Sequence, residues 1–407
     1  MNNKIKLAVA GAVLASASVA NAGITWDAGE WTVDMNGNVN AFAILQSADD
    51  SNVVNGGLAT KKDNDQDQVG INTGLLPSWL GFTATTRQND LDTSVTISFQ
   101  PGAGNTQALK GGNSNNAATE NRQAFLTFGD KSWGSVKVGK DLGIFGSTAI
   151  LNDMTLLGVG SGSATAGNTT TLGRIGTGYV YADWIGQIAY TTPNMNGFQA
   201  TLGITQPWNA NTTLSTTTVS SGSSGTNDEF GFQGQASYSW TGDFAGKVWV
   251  GGFSQNVENI ADGGTGSSDT STAFEGGVST SIYNINLVAY GYSGDGLGTT
   301  SLLGDAYDTQ GNARDSDGGY VQATYVIPMG TKLGVSYGQS NLDANGIDSG
   351  AVRGTLVKEN EMLTIGAYHP LTKHLNLVAE FSNVESKNNI GQSNESDTIA
   401  LGAILFF

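Results

Sequence analysis

The chain has no cysteine and only two histidines, and Asp, Glu, Lys and Arg together make up just 13% of its 407 residues. Without cysteine there are no disulfides and no thiolate metal sites, which removes most zinc chemistry. The two histidines, His369 and His374, flank a turn as polar filler, and no nucleophile–histidine–acid constellation is visible. No glycine-rich stretch ends in Lys-Ser or Lys-Thr, so a phosphate loop is missing despite 58 glycines. No catalytic site emerges, and the chain reads as a non-enzyme. Long apolar runs are missing too: none reaches the roughly 20 residues of a membrane-crossing helix. A membrane β-barrel escapes that test, because it shows lipid an alternating pattern rather than a run.

The N-terminus points to export. Lys4 and Lys6 precede an apolar and small-residue stretch, Leu7 to Val19, and Ala20-Asn21-Ala22 forms an A-x-A cleavage site. Residues 1–22 therefore read as a cleaved signal peptide and residues 23–407 as the mature barrel domain. Losing Lys4 and Lys6 leaves 16 bases against 35 acids, a net charge of −19. A chain this acidic repels nucleic acid and attracts cations. Its acids gather between the periodic segments, at Asp49, Asp50, Asp63, Asp65, Asp67, Asp305, Asp308, Asp315 and Asp317.

Those segments alternate with period two. From Trp31 to Gln46, odd positions carry Trp, Val, Met, Gly, Val, Ala, Ala and Leu, while even positions are mostly polar. Successive strand side chains point to opposite faces, so this is a strand with one apolar face. Leu91, Thr93, Val95, Ile97 and Phe99 repeat the pattern, as do Val321 to Ile327, Leu333 to Tyr337 and Leu375 to Phe381. Charges within strands keep to the polar face. Lys or Arg facing lipid at the midplane costs roughly 2–4 kcal/mol.

The connections fall into two alternating classes. Short turns lie at 88–90, 129–133, 192–197, 241–246, 283–284, 328–331 and 369–373. Long polar loops lie near 47–77, 101–119, 141–172, 207–228, 258–272, 294–318, 340–358 and 385–396. Seven turns and eight loops join 16 strands. The expectation is an all-β transmembrane antiparallel barrel, with turns at one end and loops at the other. Closure leaves no unpaired edge in hydrocarbon. Aromatics near the turns, Trp31, Tyr190, Phe198, Tyr238, Trp240, Tyr283 and Tyr368, are expected to form a girdle on the turn side. The third loop differs from the others. Leu142, Ile144, Phe145, Ile150, Leu151, Met154, Leu156, Leu157 and Val159 crowd its first half around one acid, Asp153. An apolar patch of that size needs cover, from the inner wall or a neighbouring protomer.

Arg122-Gln123-Ala124-Phe125-Leu126 and Trp133 to Lys140, followed by Asn152-Asp153-Met154, then Gly173-Arg174-Ile175-Gly176 and Tyr190 to Pro193 with Gly197-Phe198, resemble the general porins of Gram-negative outer membranes. These segments look like that family's fourth and fifth strands, the acidic part of its third loop, that loop's exit at Gly173 to Gly176, and the following hairpin. The resemblance implies a 16-stranded barrel with loop 3 folded into the lumen, a homotrimer, an outer-membrane location among lipid and lipopolysaccharide, and a terminal Phe407 read by the insertion machinery. It also implies a constriction, with Asp153 facing Arg122 and Arg174. The sequence departs from the family pattern at three places. Trp79 stands where a basic residue precedes Leu-Gly-Phe, Asn38 takes the basic place on the first strand, and Leu157 replaces a second loop acid. Lys137 and Arg87 are candidates to restore positive charge in the lumen.

The functional expectation is passive diffusion of small hydrophilic solutes and ions through a water-filled channel. A substrate-selective porin with a less charged constriction is the first alternative, and a non-conducting barrel the second. Asp63, Asp65 and Asp67 resemble the start of a calcium loop. Gln68 and Gly74 stand where that motif needs Gly and Glu, so a solvated acidic loop is the reading and a divalent-cation site the minor alternative. No other cofactor is expected.

Overall fold

The computed structural model describes residues 23–60, 67–104, 119–162, 170–210, 227–258, 260, 268–308 and 310–407. The expected leader, residues 1–22, and the acids Asp63 and Asp65 lie outside them. Eighteen strands run in chain order: β1 (Ile24–Ala28), β2 (Trp31–Ala48), β3 (Gln68–Asn72), β4 (Trp79–Gln88), β5 (Leu91–Phe99), β6 (Ala124–Asp130), β7 (Gly134–Leu142), β8 (Trp184–Thr191), β9 (Phe198–Thr205), β10 (Gly231–Trp240), β11 (Phe244–Glu258), β12 (Ser268–Ile282), β13 (Ile285–Asp295), β14 (Asp315–Val326), β15 (Lys332–Leu342), β16 (Val357–Pro370), β17 (Leu375–Asn388) and β18 (Ser393–Phe406).

Sixteen of these form a closed antiparallel ring. β4 to β18 pair each with the next, and β2 joins β4 on one side and β18 on the other. Closure runs from Ser396 opposite Ala48 to Phe406 opposite Asn38. The terminal Phe407 adds a further pair, its N–H donating to Gly37 O at 3.0 Å and its carbonyl accepting from Gly37 N at 2.9 Å. The ring thus agrees with the strand count read from the turns and loops. Two short strands stand outside it. β1 folds back on the start of β2, and β3 pairs with Phe42–Gln46 above the stretch of β2 that pairs with β4.

Period-two alternation sorts the two faces. Val39, Leu45, Ile97, Leu126, Ile188, Phe232, Val250, Phe274, Val321, Val335, Ile365, Leu401 and Leu405 are exposed on the outside. Their neighbours Asn40, Gln46, Ser98, Thr127, Gln187, Gln233, Glu275, Gln322, Ser336, Thr364 and Ile404 are buried on the interior face. An exterior this apolar matches a hydrocarbon solvent, and the polar interior does not. The turns close tightly: Asn89 and Asp90 both take positive φ (50° and 60°) between β4 and β5, the hand of a type I′ hairpin.

One girdle residue is misassigned from sequence. Trp31, Tyr190, Phe198, Tyr238 and Tyr283 are exposed on the outside, but Tyr368 is only 3% exposed. Its register opposite Lys332 puts it on the interior face, where the Lys332 amine lies 4.7 Å from its ring centroid.

Candidate functional site

The third long loop runs from Gly143 to Asp183, eleven residues further than the sequence pattern suggests. Gly173-Arg174-Ile175-Gly176 is therefore not its exit but part of its body, held in isolated bridges and turns before β8 begins at Trp184. Its first half folds into a short helix, α1 (Ser147–Asn152), and a 3-10 turn, Met154–Leu157. Asp153 sits at the junction. Its Oδ1 accepts from Thr155 N at 2.9 Å, capping the 3-10 turn.

The apolar side chains of this loop are covered. Phe145, Ala149, Met154 and Val159 are at most 2% exposed. Phe145 packs tilted against Phe253 of β11 at 6.1 Å between ring centroids, and Tyr179 meets Tyr320 of β14 edge-on at 5.9 Å. An aromatic chain continues from Tyr320 to Tyr290 and Trp249. Each such pair adds about 0.5–1.5 kcal/mol beyond its burial.

Four interior-face side chains that sequence reading did not single out pin the loop backbone. Gln233 Oε1 accepts from Ile144 N and Phe145 N at 2.8 and 3.0 Å. Glu275 Oε2 accepts from Gly146 N at 3.0 Å and from the Tyr290 hydroxyl at 2.8 Å. Gln322 accepts from Met154 N at 2.7 Å and donates to Asn152 O at 3.0 Å. Glu380 Oε2 accepts from Val159 N and Gly160 N at 2.6 and 3.0 Å, while its other oxygen accepts from Tyr368 at 2.5 Å. A Cβ at position 158 would collide with the Glu380 carboxylate, so only glycine permits this approach. The available signal was an acid or amide in mid-strand on the polar parity, a pattern that does not by itself say which partner it holds.

The structure brings Asp153 and Arg174 together and buries both. Arg174 Nε lies 4.0 Å from Asp153 Oδ1, and both side chains have no exposure. The guanidinium donates to Ser336 O at 3.1 Å and Met362 O at 3.0 Å, tying the loop to β15 and β16. Tyr179 donates to Asp153 Oδ2 at 2.9 Å, and burial pushes its phenol well above its ordinary pKa, keeping it a donor. Arg122 pairs with Glu120 at 2.6 Å rather than with Asp153, and its Nη1 lies 3.5 Å from the Tyr181 hydroxyl. The expected facing of one acid by two bases is replaced by two separate pairs, and among the described residues the buried Arg174 Nε has no hydrogen-bond partner.

The other expected residues are also engaged. Asn38 is buried, donating to Pro77 O at 3.0 Å and accepting from Asn40 at 2.9 Å. Trp79, on the interior parity of β4, lies 5.9 Å from the Trp184 ring. Lys137 bonds Asp141 and lies 5.1 Å from the Phe125 ring centroid. Arg87 pairs with Asp92 at 2.7 Å and Asp130 at 2.8 Å near the β4–β5 turn. Among the described residues, no group of three or more metal-ligating side chains converges.

Further loops lock beside this one. Tyr181 N donates to Thr300 O at 2.9 Å, joining the third loop to the sixth. Arg314 and Asp348, both nearly unexposed, form a two-pronged pair at 2.9 and 2.6 Å that ties the sixth loop to the seventh.

A family model described as Gram-negative porin matches residues 8–389. No curated protein matches the chain significantly. Among solved structures, the outer membrane channel DcaP of Acinetobacter baumannii is 17% identical, covers 95% of this chain and 100% of its own, and has a TM-score of 0.65. OmpF of Salmonella typhi, solved with daunomycin, is 15% identical over 94% and 100% of the two chains, with a TM-score of 0.62. The trimer form of OmpT from Vibrio cholerae is 16% identical over 93% and 100%, at 0.54. At these identities the likeness is one of fold.

Proposed function

The chain belongs to the Gram-negative porin family, and as the outer-membrane channel this membership makes it, we propose that it passes small hydrophilic solutes and ions passively, with residues 143–183 folded into the lumen as the filter. The observation that carries this reading is the set of interior-face anchors, Gln233, Glu275, Gln322 and Glu380, drawn from four strands and all bonded to that one loop. A loop held by interior side chains narrows the space those side chains surround.

Because Asp153 is matched by Arg174 and Arg122 by Glu120, the filter sieves more by size than by a transverse field. The Trp79–Trp184 pair supports the second reading, a porin selective for less polar or aromatic solutes. By analogy with the OmpT trimer the working form is a homotrimer in a lipid and lipopolysaccharide bilayer, reached after cleavage of residues 1–22. Planar-bilayer recording of the purified protein tests the proposal: stepwise conductance, with sugar passage falling as size rises, is expected. A barrel that inserts but carries no current would make it a non-conducting anchor instead.

A further inference from the structure

Four bases stand on the interior face of the described strands: Arg87, Lys137, Lys247 and Lys332. Two are neutralised, Arg87 by Asp92 and Asp130 and Lys137 by Asp141. The other two have no ion pair among the described residues. Lys247 follows the β10–β11 turn by a few residues, and its cross-strand neighbours are Ser239 and Ser279. Lys332 opens β15, with its amine over the Tyr368 ring. Glu380 acts on it through space but makes no ion pair with it, its oxygens accepting from Tyr368 and from the amides of Val159 and Gly160. Both lysines are partly exposed and both stand at the short-turn end of the barrel.

At the long-loop end Asp295 faces Asp315 directly across β13 and β14, with Asp317 two residues on, all three exposed on the exterior face rather than lining the passage. A narrow passage with low-dielectric walls focuses the field of an unmatched charge, whereas a matched pair projects little. We propose that Lys247 and Lys332 hold small oxyanions, phosphate or carboxylate, in the turn-side vestibule, so that selectivity is set along the barrel axis rather than across the filter. This rests on the channel reading above.

The test is the zero-current potential in a potassium chloride gradient, for the unmodified channel and for Lys247→Gln with Lys332→Gln. The chloride-to-potassium permeability ratio is expected to fall about two- to threefold in the Gln pair and to recover in the Lys247→Arg, Lys332→Arg pair. Lys387→Gln, on the exterior face, should leave it unchanged. In the unmodified channel, phosphate or acetate added on the turn side should reduce current more than the same salt on the loop side. This arm decides the matter even if the Gln pair does not insert, and comparing the two salts tells phosphate from carboxylate preference. An intact conductance with an unmoved ratio, or equal effects from both sides, overturns the inference. An unmodified protein without current overturns the channel reading, and this inference with it.

Discussion

Replacing Glu380 with alanine removes the acceptor of three hydrogen bonds while leaving every strand pairing in place. Two of those bonds come from loop backbone, Val159 N at 2.6 Å and Gly160 N at 3.0 Å. Hydrogen bonds to charged groups contribute about 1.5–3 kcal/mol each. Taking the lower figure for both amides gives about 3 kcal/mol of loop attachment, or roughly a hundredfold in a local opening equilibrium at about 1.4 kcal/mol per decade. The global fold loses less, because Gln233, Glu275 and Gln322 still hold the loop at Ile144 to Met154. Hydrogen exchange of the Val159 and Gly160 amides reads the change directly. Protection of those two should drop about a hundredfold while that of Ile144 and Phe145 stays within a few-fold. Single-channel records should become noisier as the released segment moves. If Val159 and Gly160 keep their protection, Glu380 is not the anchor and the attachment assigned to the stretch after the 3-10 turn fails.

Asp153→Asn leaves Arg174 as an unmatched buried charge. It should destabilise the barrel by about 3–5 kcal/mol, seen as a lowered heat-denaturation midpoint in detergent; an unchanged midpoint would mean the pair is dispensable. Trp79→Arg places a cation on the interior face of β4 beside Trp184 and should lower cation preference and alter conductance. If neither moves, Trp79 lies away from the solute path. Arg314→Ala breaks the link between the sixth and seventh loops and leaves Asp348 unmatched, so proteolysis within residues 296–314 should accelerate several-fold, with strand stability little changed.

The ring of strands was legible because its signal is local. A period of two, short turns and long loops determine which residues face out, and Val39, Leu45 and Ile97 obey that parity in the structure. Tyr368 was misassigned because nearness to a turn says nothing about face, whereas its register opposite Lys332 does. The extent of the third loop was misjudged at Arg174 because Gly-Arg-Ile-Gly resembles a strand entry, yet isolated bridges and distant carbonyls on β15 and β16 decide its place. The charge constellation was only partly legible for a related reason. Which acid meets which base depends on contacts between residues far apart in sequence, and Glu120, two residues from Arg122, takes the partner that Asp153 was expected to share. Glu275 and Glu380 gave no pattern beyond their parity, although they hold the loop.

The central claim is that one loop, pinned to the interior face, sets what passes through the barrel. Deleting residues 147–157, the helix α1 and the 3-10 turn, while leaving all sixteen ring strands intact, tests it most directly. Single-channel conductance and the largest sugar admitted should both rise in the deletion channel. Conductance and exclusion limit equal to those of the full-length protein would contradict the claim.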